Sequence, residues 1–266
     1  MPNLNGPPIA KAVFKSLCCF SLIATAALSF SGCASAKKQD EAQLHARIGT
    51  ALLTQGHYPE ALRELLNAEK LDPSSAPIQN NLGLAYFMRE KPALAAEHLE
   101  RAVFLDKTYS EARNNYGRVL IELGKYDEAV KQLQLVIDDL TYPDPAKALV
   151  NMGLAHFRRG RFPEARTQFS KAITISRENC LAQTYYGRSL FELAQFQAAA
   201  QALDNATIVC HAGNGRDFDE AQYYGGLAYY KLGKTSAAVS RMEDVMKDAP
   251  EGRYAKKAES LLKLMK

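Results

Sequence analysis

Glycine, alanine and large apolar side chains recur along this chain at fixed distances, and the recurrence defines its elements. Gly stands at 49, 83, 117, 153, 187 and 226, the first steps being 34 residues. Twelve residues after each Gly comes an Ala, at 61, 95, 129, 165, 199 and 238. Four residues further lies a large apolar residue: Leu65, Leu99, Leu133, Phe169, Leu203 or Met242. Three beyond that is a small or branched one: Ala68, Ala102, Val136, Ala172, Ala206 or Val245. Spacings of four and seven place these residues on one face of a helix. Tight-turn glycines at 56, 124, 160 and 233 split each unit into two helices. The recurrent Gly and Ala mark the close approach of the pair, and the large side chain fills the space against the next unit. No such unit buries its apolar face alone, so the array must stack.

Six units result: 42–75, 76–109, 110–145, 146–179, 180–218 and 219–250. The third carries two extra residues around Tyr142-Pro143-Asp144-Pro145. The fifth carries five from His211 to Phe218, which read as a loop. Residues 251–266 form a Lys-rich helix suited to capping the open end. The motif resembles the tetratricopeptide repeat (TPR), with Pro73 and Pro250 as matching stops; Lys107, Thr141, Arg177 and His211 depart from the pattern. The resemblance covers residues 42 to about 250. It implies an all-α, right-handed superhelical solenoid of six helix-turn-helix repeats plus a C-terminal capping helix.

The first 33 residues have a different pattern. Lys11 and Lys15 precede an apolar run from Ser16 to Phe30, followed by Ser31, Gly32 and Cys33. Fifteen apolar residues are short for a membrane span, which needs about 20. The order basic, apolar, small reads as a secretory signal. It resembles a bacterial lipoprotein signal, with 1–32 removed and Cys33 lipidated, although Phe30 stands where an aliphatic residue is usual. An ordinary signal cut near Ala34 and an uncleaved anchor are the alternatives. Residues 33–41 then form a lipidated, flexible tether. Of five cysteines, Cys18 and Cys19 leave with the signal, and Cys33 takes lipid. Cys180 and Cys210 remain as a candidate disulfide in an exported chain, the alternative being two buried thiols.

Chemistry is sparse. No Gly-rich phosphate loop, nucleophile elbow or Cys-x-x-Cys occurs. The five histidines sit at unrelated register, and His156 occupies a packing position. No catalytic residue, metal or cofactor is expected. The net charge of +4 is small, dispersed and partly in the signal, which argues against nucleic acid. Surface remains. In the family the first helices line a concave groove, and their ninth and twelfth positions give an apolar strip with two arginines. The expected partner-binding residues are Leu84, Phe87, Arg118, Ile121, Leu154, Phe157, Arg188 and Phe191. The family's carboxylate clamp for chaperone tails is not matched: Asn81 agrees, but Ala46, Thr50, Glu111 and Asn115 fill the other positions.

The stretches YPDPAKALVNMGLA and NCLAQTYYGRSLFEL, with the lipoprotein signal and six repeats, resemble the pilotin family of type IV pili (PilF/PilW/Tgl-like). That resemblance implies a non-catalytic outer-membrane lipoprotein facing the periplasm. Its implied partners are the secretin subunit and, through the acylated Cys, membrane lipid, with no small-molecule substrate. A periplasmic adaptor for a cell-wall hydrolase, protease or outer-membrane assembly machinery is the competing expectation.

Overall fold

The computed structural model describes residues 36–212 and 218–265. Among the described residues every regular element is a helix. The first, α1, spans 36–54. It is followed by α2 (Tyr58–Leu71), α3 (Ala76–Met88), α4 (Pro92–Leu105), α5 (Ser110–Glu122), α6 (Tyr126–Ile137) and α7 (Pro145–Arg158). Then come α8 (Phe162–Ile175), α9 (Cys180–Glu192), α10 (Phe196–Ala212), α11 (Phe218–Lys231), α12 (Thr235–Asp248) and α13 (Ala255–Met265). Successive pairs pack as six antiparallel hairpins stacked into a right-handed solenoid, and α13 closes its C-terminal end.

Packing follows the sequence period. The alanines at 61, 95, 129, 165, 199 and 238 are fully buried, as are the large apolar residues four places on. The first-helix glycines are required by contact. A Cβ on Gly49 would lie 2.7 Å from Leu65 Cγ, and one on Gly153 would lie 2.6 Å from Phe169 Cε1. Turn glycines 56, 124, 160 and 233 adopt positive φ, and Glu90 (58°) and Ala194 (57°) take the same conformation in units two and five. Consecutive first helices (α3 and α5, α5 and α7, α7 and α9, α9 and α11) touch each other. Consecutive second helices are spread apart, so the first helices line the concave side.

Three expectations are corrected. The tether expected over 33–41 is helical from residue 36. Its polar residues extend α1 because Lys, Gln and Glu are good helix formers. The expected loop from His211 begins later, because α10 runs 17 residues to Ala212. Cys210 therefore lies inside α10; it is fully buried and bonded to Cys180, with a Cα–Cα distance of 4.8 Å. The capping helix starts at Ala255, after turns over 251–254.

The two residues inserted in unit three build a corner. Tyr142 packs with Val136 and Ala148, and its hydroxyl donates to Glu111 (2.8 Å). Asp144 caps α7 by accepting from the Lys147 amide (3.1 Å). Cys33 and the rest of the expected signal lie outside the described residues. No described helix is long and apolar enough to cross a membrane.

Candidate functional site

The concave face combines an apolar strip with a line of carboxamides. Leu84 and Phe87 are half-buried on α3. Arg118, one unit on, lies with its guanidinium 6.0 Å from the Phe87 ring centre and 3.6 Å from Glu122. Phe157 and Phe191 are half-buried on α7 and α9. Phe157 meets Phe162 and Tyr185 edge-on at 5.3 and 5.0 Å. Phe191 meets Phe196 and Tyr224 at 5.4 and 5.7 Å.

Two of the eight expected groove residues are core. Ile121 is 3% exposed and Leu154 7%. Both belong to the main apolar cluster of units two to five. Leu84 and Phe87 hold the same registers in unit two and are only half-buried, so the repeat period alone does not reveal which side chains are covered.

Arg188 is also drawn inward. Its side chain is 13% exposed and pairs with Glu220, itself 8% exposed. It donates to the Tyr224 hydroxyl (3.2 Å). The guanidinium lies 4.6 Å from the Phe157 ring centre, 4.8 Å from Tyr185 and 4.3 Å from Tyr224. The Tyr254 hydroxyl, from the segment leading into α13, donates to the same Glu220 (2.8 Å). Burial alone would lower the Arg188 pKa, but Glu220 and the tyrosines raise it above the usual arginine value. One guanidinium thus ties units four, five and six to the cap, by stacking and by charge.

The carboxamides run along the groove floor. Asn81 donates to Thr50 Oγ1 (2.8 Å), and Asn80 donates to Asn81 (3.0 Å). Asn115 donates to Asn80 (2.9 Å), and Asn151 donates to Asn114 (3.0 Å). The chain of bonds links units one to three, and a further bond links three to four. Asn114 Nδ2 and Arg118 Nε are buried and unpartnered among the described residues. Both residues line a concave cavity of about 400 Å³ with Asn115, Lys147, Asn151 and Asn179. The wall also carries a carboxylate, Asp144. Glu111, beside it, accepts from Lys147 (2.7 Å). Burial would raise the Glu111 pKa, but Lys147 and Tyr142 hold it below the usual glutamate value.

The ladder as a unit was not anticipated from the sequence. Its signal was there: Asn-Asn doublets at 80–81 and 114–115, one period apart, with Asn151 continuing. Asparagine is a poor mid-helix residue, so its recurrence inside first helices marks a requirement beyond helix formation. Among the described residues no group of His, Cys, Asp or Glu has the arrangement of a metal site.

Comparison with known proteins agrees with the repeat fold. Tetratricopeptide repeat models match residues 47–112, 114–179 and 220–252. The type IV pilus assembly protein PilF of Pseudomonas aeruginosa is 26% identical over 194 residues, which cover 69% of this chain and 77% of that protein. A solved Pseudomonas aeruginosa PilF structure superposes with TM-score 0.70 at 21% identity, covering 84% of this chain and 99% of the other. PilW, solved as a widely conserved type IV pilus biogenesis factor, gives TM-score 0.74 at 18% identity, with 83% and 98% covered.

Proposed function

The chain belongs to the tetratricopeptide-repeat family, and from that premise we propose that it is a non-catalytic scaffold that binds the secretin subunit in type IV pilus biogenesis. The observation behind the reading is the concave face, where half-buried Phe87 and Arg118 adjoin the carboxamide floor with its unpartnered Asn114 Nδ2. A buried donor without an acceptor costs free energy. Asn114 is itself fully buried, so an extended segment laid along the groove would pair with the accessible polar groups beside it, such as Lys147 and Arg118. The adjoining ring and guanidinium add the aromatic and arginine contacts common in binding hot spots. The resemblance to PilF favours a pilus partner.

The measurement is calorimetric titration of the secretin subunit into the purified chain. Phe87→Ala and Arg118→Ala are each expected to weaken binding by about 1–3 kcal/mol, which is roughly 5- to 200-fold. The melting temperature should stay within a few degrees. Unchanged affinity in both variants would remove the groove from the reading, and no affinity in the parent chain would remove the secretin.

The same reading places the protein at the outer membrane, facing the periplasm, with Cys33 acylated. A lipoprotein-type cysteine carries more than one acyl chain, which suffices for stable anchoring without a partner. Cys33→Ala is expected to move the protein to the soluble fraction in cells lacking the secretin. If the variant still sediments with outer membranes there, acylation is not the anchor.

A further inference from the structure

Positions three and seven of each first helix face the second helix of the preceding unit. Position three is Ile78, Ala112 and Ala148 in units two to four, all buried, and position seven is Leu82, Tyr116 and Met152, also buried. In unit two, Ile78 and Leu82 cluster with Leu65 and Ala68 of α2. In unit six, position seven is Gly225, where an added Cβ would meet Leu203 of α10 at 3.6 Å. Each of these faces is therefore covered by a helix.

Unit one puts Leu44 and Ile48 at the same two positions, and they are 54% and 41% exposed. This is the inter-repeat face in the same register, one residue four places from the other, without a covering helix among the described residues. The C-terminal end of the array is closed by α13, with Ala258 and Leu262 buried. The N-terminal end has no equivalent among the described residues. Around the apolar pair stand exposed Lys37, Asp40, Glu41 and Arg47. A rim of both signs does not suit a surface of one charge, such as an anionic bilayer. It suits the mixed-charge flanks of an amphipathic helix.

We infer that the exposed face of α1 is a second docking site, which takes one amphipathic helix of a partner protein, seated as α2 seats on α3. The helix it fits carries large and small apolar residues along one face, as α2 presents Leu65 and Ala68 to Ile78 and Leu82. Such a helix extends the solenoid by half a unit and continues an interface the chain already makes between its own units. The site lies at the end of the array, separate from the concave groove.

The test uses the full chain in its own cells, with the photoreactive residue p-benzoylphenylalanine in place of Leu44. Irradiation is expected to join position 44 to a partner polypeptide. Mass spectrometry should place the cross-link in a segment with apolar residues at i, i+4 and i+7. Adding Ile48→Glu should cut the yield at least tenfold, while circular dichroism and melting temperature stay unchanged, since Ile48 is exposed. Cross-links to lipid, to a second copy of this chain, to residues 1–35 of the same chain or to a segment without that spacing would overturn the inference, as would an undiminished yield. Phe87→Ala and Arg118→Ala should leave the cross-link in place, so failure of the groove reading is distinguishable from failure of this one.

Discussion

Arg188 shows how a residue's register and its environment part company. Its position in the repeat is one that faces the groove, yet it is held by Glu220, Tyr224 and three aromatic faces. Replacing one partner of a buried pair leaves the other charge unpaired, which costs about 3–5 kcal/mol. Arg188→Leu is therefore expected to destabilise the chain by about 3 kcal/mol in urea unfolding. Loss of less than about 1 kcal/mol, the range of an exposed pair, would show that the guanidinium is free in solution. Phe157 is bound into the same cluster. Truncating it tests folding more than recognition, so Phe87 and Arg118 are the cleaner probes of the groove.

At the scale of the element, unit five stands out. Its second helix, α10, is 17 residues long, three more than α2, α4 and α8. The extension places Cys210 beside Cys180 at the start of α9, with Thr184 Oγ1 3.6 Å from Cys210 Sγ. An antiparallel hairpin brings its first and last turns together, so residues 30 apart in sequence can bond. Closing a loop of that length stabilises by about 3–4 kcal/mol in the chain-entropy picture. Reduction is expected to lower the melting temperature by roughly 10 °C for a protein of this size. Denatured protein purified without reductant should show no reactive thiol at these two positions. Two labelled thiols, or a melting point indifferent to reductant, would count against the bond.

For the whole molecule, stability should depend on mildly acidic pH. His98 stacks on Tyr86 and bonds Gln79 (2.8 Å), and His156 is buried on α7. Burial lowers the pKa of each below the ordinary 6.5, against the opposing pull of Glu69 and Glu97 on His98 and of Glu164 on His156. Arg101 and Arg161 add to the lowering. A folded-state pKa below the unfolded one means that the unfolded chain binds protons first. The stabilisation is present above about pH 6.5 and is lost as pH falls from there through the lowered values. The melting temperature is expected to decline between pH 7 and pH 5, and less so in the His98→Gln/His156→Gln double variant. Parallel curves for the two proteins would exclude these histidines as the cause.

The sequence by itself determined the six units, their helix pairs and most of the core. These depend on local periodicity: Gly49, Ala61 and Leu65 lie within one hairpin, and their spacing repeats because each hairpin solves the same packing problem. It also located Cys180 and Cys210 at the two ends of one hairpin. Only the tertiary structure decided which groove residues face outward. Ile121 and Phe87 share a register, but exposure depends on the neighbouring unit, which buries Ile121 and leaves Phe87 half-covered. The asparagine ladder likewise depends on stacking, since the bonds that carry it from unit to unit join Asn81 to Thr50, Asn115 to Asn80 and Asn151 to Asn114. The bare face of α1 is the same effect in reverse. Leu44 and Ile48 carry the residue types of an inner repeat, and only the stacking order shows that no described helix covers them.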